Sequence, residues 1–373
     1  MEATALNSAR VGIIHPGPPA TCGGVMAEEL ANQLRKAGDV EQVFVERRRK
    51  CRSISWRSQP DRVVEHWTKH FAFFQINARL PRYDIYHFLS ERHATLLRYG
   101  RKPAVVTIHD AAPLRAGRIY AEGTIRRYRK NMETLLSAQA IVANTENAKR
   151  DMVELFGVEE GRVKVIYPGV NHEIYKKRNK AKTREITGLP ADAKIILNVG
   201  NENKNNNMPA LVEAVSLVRR RIPEAVLLRV GPRSGLGDEA IERFNAREWV
   251  VRMGADEGET TLYNYYFNAA DVYLCLDYYT GYSIQGLSAM ASGCPVVSTS
   301  KGGFSEIAGE DAILLKNTDG KEAASAIVSI LENDRQRSEL VEKGVRRSHK
   351  YKWEKTAKSY LKVYEGVLKG SQI

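Results

Sequence analysis

Short apolar runs alternating with helical stretches constrain this chain more than any other feature. The first run is VGII (11–14). QVFVE (42–46), DIYHFL (84–89), AVVTIH (104–109), AIVANT (140–145) and VKVIYPG (163–169) follow it. Each run is short and mostly apolar, and helical segments separate them. Strand, helix, strand in this rhythm builds a parallel sheet covered on both faces. A second set begins at KIILNVG (194–200) and continues through AVLLRVG (225–231), WVVRMG (249–254), DVYLCL (271–276), CPVVST (294–299) and AILL (312–315). Between the sets, KKRNKAKTREITG (176–188) is polar, has no apolar period and reads as a linker. The expected fold class is therefore α/β, with two doubly wound, Rossmann-like domains over residues 1–175 and 190–350. The halves show no sequence repeat. In the closing stretch 351–373, Trp353, Ala357, Tyr360, Leu361, Tyr364 and Leu368 share one helical face. Ligands of such sheets bind at the carboxyl ends of the strands, which for two facing domains means the cleft between them.

The length of 373 residues suits two medium domains. No window is apolar enough to span a bilayer, and the N-terminus does not read as a secretory signal. Cys22, Cys51, Cys275 and Cys294 lack metal-ligand spacing and are expected as reduced thiols, so the chain reads as cytoplasmic. The net charge of +13 favours an anionic partner. Much of it sits in ERRRKCRSISWR (46–57), followed by Trp56, Trp67, Phe71, Phe73 and Phe74. This run reads as a solvated loop, as a peripheral contact with the anionic inner face of a membrane or with an acceptor, or as a nucleic-acid contact.

Several segments carry a resemblance. CGGVMAEELANQL (22–34), VVTIHD (105–110), AIVANTENAKRDMVELFGVEEGRVKVIYPGVNHEIY (140–175), NVGNENKNNNMPALVEAV (198–215) and DVYLCLDYYTGYSIQGLSAMASGCPVV (271–297) are similar, in order, to glycosyltransferase family 4. The resemblance covers nearly the whole chain. It implies the GT-B fold, a closing helix packed back on the first domain, and retaining transfer from a nucleotide diphosphate sugar. That sugar is a substrate; no cofactor and no metal are implied.

The family's site residues carry over by register. The glycine pair Gly23 and Gly24 would let backbone approach the ligands. His109, beside Asp110 at a strand end, would face the reacting sugar; it reads equally as a histidine satisfied by backbone. The turn at Gly281 and the amides near Tyr282, Ser283 and Ile284 would hold a phosphate at a helix start. The family's charges are replaced. After Gly200, its arginine and lysine fall on Asn201 and Asn206, leaving Lys204 either to reach a phosphate or to stand solvated. Arg233 is a weaker substitute. The two glutamates, eight positions apart, fall on Thr280 and Ser288. Glu306 keeps an acid further along and also reads as a helix-start residue. A neutral hydrogen bond contributes about 1 kcal/mol and a charged one about 1.5–3, so weakened donor binding is expected. Glutamates restored at 280 and 288 would strengthen it.

Three readings follow. The first is a glycosyltransferase with an atypical donor pocket and a glycan, lipid-linked or phosphorylated acceptor. The second is a non-catalytic binding or scaffold protein on the same fold, paired with an active relative. The third, resting on charge alone, is nucleic-acid binding with a steep salt dependence.

Overall fold

The computed structural model describes residues 9–15, 22–47, 62–65, 81–91, 96–97, 101–254 and 260–370. The chain divides into two compact units, one of 1–113, 121–169 and 353–373, the other of 114–120 and 170–352.

The first unit holds a seven-stranded parallel sheet in the order β3-β2-β1-β4-β5-β6-β7. Its strands are β1 (Arg10–His15), β2 (Asp39–Arg47), β3 (Arg62–Glu65), β4 (Ile85–Phe88), β5 (Ala104–Ile108), β6 (Ala140–Ala143) and β7 (Val163–Val165). β4, β5 and β6 are buried along their whole length, which explains runs without alternation. The edge strand β3, whose RVVE has two apolar residues, is not visible in the sequence pattern. The strand order reverses between β1 and β4, the position where such sheets open a crevice.

Helix Trp353–Leu368 belongs to this unit. Its buried side is Trp353, Thr356, Ala357, Tyr360, Val363, Tyr364 and Val367. Leu361 and Leu368, expected on that face, are only half-buried, while Thr356 faces inward and donates to Tyr167 O at 2.7 Å. Two tyrosines anchor the helix. The Tyr364 hydroxyl lies 2.7 Å from His87 Nδ1, and His87 Nε2 lies 2.7 Å from Thr107 Oγ1. Thr107 Oγ1 in turn lies 2.9 Å from the Tyr360 hydroxyl.

The second unit is a six-stranded parallel sheet in the order β10-β9-β8-β11-β12-β13. The strands are β8 (Lys194–Val199), β9 (Ala225–Val230), β10 (Val250–Met253), β11 (Val272–Cys275), β12 (Val296–Thr299) and β13 (Ile313–Leu315). Helices Met208–Arg219 and Gly320–Glu332 pack over one face, around Ile196, Leu227, Leu274 and Val297.

The stretch expected as a linker is corrected here. The first unit ends at Gly169, and 170–188 belongs to the second unit. Within it, Lys180–Thr187 is a helix capped by the Asn179 side chain, and left-handed Gly188 ends it. Its inward residues are Thr183 and Arg184 rather than apolar ones. Arg184 donates to Asp271 at 2.8 Å, Lys180 reaches the same carboxylate at 2.9 Å, and Ile195 N–H donates to it at 2.7 Å. A helix docked through an ion pair leaves no apolar period to read.

Among the described residues no helix is long and apolar enough to cross a membrane. Of the basic run 46–57, only the backbone of Glu46 and Arg47 falls within the described residues. Trp56, Trp67, Phe71, Phe73 and Phe74 lie outside them.

Candidate functional site

At the carboxyl edge of the second sheet, β8 ends in Gly200, whose φ of +146° favours glycine. Gly200 N–H donates to Val230 O at 3.0 Å. Beneath its carbonyl lies Arg229, 1% exposed, which donates Nη2 to Gly200 O and Nη1 to Val230 O, both at 2.5 Å. Burial lowers the pKa of this guanidinium, opposed by the charge of Glu202. A Cβ at Gly231 would collide with Gly200 O, so the loops after β8 and β9 meet backbone to backbone.

The asparagine run after Gly200 builds the loop. The Asn203 side chain accepts from Asn205 N–H at 2.8 Å and Asn206 N–H at 3.3 Å. Asn205 pairs with the segment after β11: its carbonyl accepts from Tyr278 N–H at 2.9 Å and its Oδ1 from Tyr279 N–H at 3.2 Å. Its Nδ2 donates to Tyr279 O at 3.0 Å. Asn206 Nδ2 donates to Asp277 at 3.0 Å, while its buried Oδ1 has no partner. Asn207, left-handed at φ +49°, donates to Thr318 O and precedes helix Met208–Arg219. Asn201 and Lys204 are exposed. Arg233 donates to Arg252 O at 3.1 Å.

The acid in this loop is Glu202, which the sequence reading passed over. It is 4% exposed and pairs with Arg252. Burial alone would lower the pKa of Arg252, but the hydrogen bonds it donates to the Asp238 and Glu202 carboxylates together hold it above its ordinary value. No spacing or motif signals this pairing; fifty residues separate the partners.

Beyond β11, Thr280 and Gly302 form a parallel bridge. Thr280 N–H donates to Lys301 O at 3.0 Å and its carbonyl accepts from Gly303 N–H at 2.8 Å. The next helix is Ile284–Ala291. Ser283 caps it from the left-handed region, φ +54°, accepting from Gly286 N–H at 3.2 Å. Gly281, Ser283 and Ile284 are half-exposed. Tyr282 is buried, its ring 6.3 Å from that of Tyr351. Thr280 is 4% exposed and Ser288 2%. A glutamate at either position would have to bury its charge or displace its neighbours, which works against the gain expected from restoring the carboxylates. Half-buried Glu306 lies in the first turn of the five-residue helix Phe304–Ala308. A groove of about 430 Å³ opens on this unit, lined in part by Asn207, Tyr278, Lys301 and Asp319. None of the donor residues picked from the sequence lines it.

In the first unit, Gly23 and Gly24 lie inside the opening turn of helix Cys22–Leu34. His109 follows β5. Its Nε2 lies 2.5 Å from Leu89 O, an acceptor only, so this nitrogen carries a proton and donates. Nδ1 then accepts from the Asn144 amide at 2.7 Å. Both ring nitrogens are thus occupied within the unit. The Asp110 carboxylate accepts from Ala112 N–H at 2.8 Å. Burial raises its pKa, with Glu91 and Asp151 adding to the shift and the Ala112 N–H and His109 opposing it. Among the described residues no group of three His, Cys, Asp or Glu side chains is placed to hold a metal ion.

Residues 23–174 match the family model described as Glycosyltransferase Family 4, and residues 193–333 the model described as Glycosyl transferases group 1. D-inositol 3-phosphate glycosyltransferase 2 of Catenulispora acidiphila is 28% identical over 241 residues, covering 61% of this chain and 56% of that protein. The matched part thus spans little more than half the length of that relative. D-inositol 3-phosphate glycosyltransferase of Thermobispora bispora is 29% identical over 310 residues, 77% of this chain and 71% of that one. The solved structure of HepE from Anabaena, in complex with UDP and glucose, superposes with a TM-score of 0.78. It has 13% identity and covers 95% of this chain and 99% of that one, a likeness of fold alone.

Proposed function

The chain belongs to glycosyltransferase family 4, and from that premise we propose that it moves a hexosyl group from a nucleotide diphosphate sugar to an acceptor hydroxyl. The carrying observation is that two family models match in sequence order, with the second spanning the β8 loop and helix Ile284–Ala291. The relatives named for inositol 3-phosphate, and the HepE structure holding UDP and glucose, favour a UDP-hexose donor and a phosphorylated polyol acceptor.

In such a transfer, negative charge grows on the leaving diphosphate, and fixed donors aimed at it lower the barrier. In this proposal the donors are amides at the Gly281–Ile284 turn, with exposed Lys204 as the mobile cation. The neutral residues Asn201, Asn206, Thr280 and Ser288 stand where the family carries charge, so donor binding is weaker than a charged pocket would give. A donor phosphate oxygen takes the acceptor proton, and no metal ion is required. His109 contributes shape at the end of β5, its nitrogens being engaged by Leu89 and Asn144. The test is incubation with UDP-, GDP- and ADP-hexoses and inositol phosphate in chelator, following nucleotide release and the glycosylated product. Release and product from one donor support the proposal; neither, from any donor, counts against it.

A second reading keeps the fold without turnover. It is favoured by the burial of Thr280 and Ser288 and by the occupied nitrogens of His109. Saturable nucleotide binding without product over a broad acceptor screen would select it.

A further inference from the structure

Glu202 is a deeply buried carboxylate at the carboxyl edge of the second sheet, its side chain 1% exposed. Its Oε1 accepts from Arg252 Nε at 3.1 Å and its Oε2 from Arg252 Nη2 at 2.5 Å. Ser234 N–H donates to the same Oε2 at 2.6 Å, and the Ser234 hydroxyl donates to Glu202 O at 2.8 Å. Ser234 is the N-cap of helix Gly235–Arg243, yet its side chain does not cap that helix. Gly237, in the first turn, packs directly on the pair. A Cβ there would collide with the Glu202 carboxylate and come within 2.9 Å of Arg252 Nη2. Arg252 also holds Asp238, from the same first turn.

A helix start is where an anion is stabilised, by free amides and by the dipole. At this helix the anion is supplied by the loop of another strand, and the half-buried guanidinium of Arg252 completes its cradle. Glu202 thus joins three segments: its own loop after β8, the start of helix Gly235–Arg243 after β9, and β10 through Arg252. Arg229 reinforces the junction from below through Gly200 O. Where the sequence leads one to expect a phosphate-facing cation, this loop turns an anion inward.

We propose that Glu202 is a positioning residue, an internal anion that latches the 200–207 loop to the start of helix Gly235–Arg243 and so fixes the backbone that presents Lys204 and Asn206 to the donor. The latch stands on geometry alone, while its link to the donor rests on the glycosyltransferase reading. Removing the carboxylate leaves an empty anion cradle flanked by Arg252, Ser234 N–H and a helix start, which a small carboxylate from solution fits.

The test compares the full chain with Glu202→Ala and Glu202→Gln, by amide exchange and by calorimetric titration with UDP. In Glu202→Ala, exchange in 200–207 and in 234–237 should accelerate together, and UDP affinity should fall about tenfold. Added formate should restore both in part in Glu202→Ala and change neither in the unaltered chain. Rescue by formate would tie both effects to the missing carboxylate rather than to a general loss of stability. Glu202→Gln, which keeps the volume, should show the same changes to a smaller degree and serves where Glu202→Ala does not fold. Exchange that rises in one segment alone, or in neither, overturns the latch. UDP affinity unchanged within about twofold, with exchange raised, overturns the positioning role. An unaltered chain that binds no UDP overturns the donor reading and the positioning role with it, while the exchange data still decide the latch.

Discussion

Each unit buries a polar cluster, and the two clusters solve the same problem with opposite chemistry. In the first unit, Tyr364, His87, Thr107 and Tyr360 form a chain of neutral groups, each contact between 2.7 and 2.9 Å. In the second, Glu202 at 4% exposure pairs with the half-buried Arg252, and Arg229 lies beside them at 1% exposure. A neutral chain is satisfied by tautomer choice, and protonation breaks it. An ionic cluster keeps its charge across the middle pH range and breaks when one partner is lost. The neutral cluster holds a helix on a sheet. The ionic one holds loops, and these are the loops where a donor is proposed to bind.

The largest effect expected from breaking this contrast is Arg252→Met, which leaves Glu202 buried and unpaired. It should cost about 3–5 kcal/mol, against far less for Glu202→Leu combined with Arg252→Met, measured by urea unfolding. Similar losses for single and double variants would mean that the pair does not act as a unit.

Next comes pH. Burial, aided by the neighbouring His109, lowers His87 from 6.5 to about 3. The unfolded chain therefore binds a proton that the folded chain does not. Stability from this group is complete above about pH 6.5 and declines toward pH 3, by about 1.4 kcal/mol per unit. That amounts to about 3 kcal/mol at pH 4. Unfolding of His87→Gln should show a flatter slope between pH 6.5 and 4 than the unaltered chain; equal slopes would remove His87 from the account.

Smaller effects sharpen the comparison within the second unit. Asn205→Ala removes the amide that pairs with Tyr279 on both edges and should cost about 1–2 kcal/mol, with faster exchange at the Tyr279 amide. Ser283→Gly relieves a left-handed serine but loses its cap to Gly286, so the net change in unfolding free energy should stay within about 1 kcal/mol.

What was legible in the sequence follows the same division. Strands such as AVVTI and AIVA are buried on both faces, and apolar runs report that directly. Helix Lys180–Thr187 was read as a linker because its inward face is Thr183 and Arg184, docked through Asp271. Glu202 was passed over for the same reason: its partner lies on another strand, and a charge that ends up buried looks like any loop acid. Asn201 and Asn206 are visible in the sequence as replaced charges, but nothing there marks Asn205, Asn206 and Asn207 as residues that pair loops and begin a helix. Polar groups buried through long-range partners leave no period, whether they dock a helix, as Arg184 does, or pair the loops of the candidate site, as Glu202 does.

In the proposal, a donor site with its usual charges replaced still takes a nucleotide, on backbone amides and a latched loop. Titrating the full chain calorimetrically with UDP, GDP and ADP in chelator tests it most directly. Saturable, metal-independent binding of UDP, weakened in Glu202→Ala, is the expected result. No heat of binding for any of the three at millimolar ligand would contradict it.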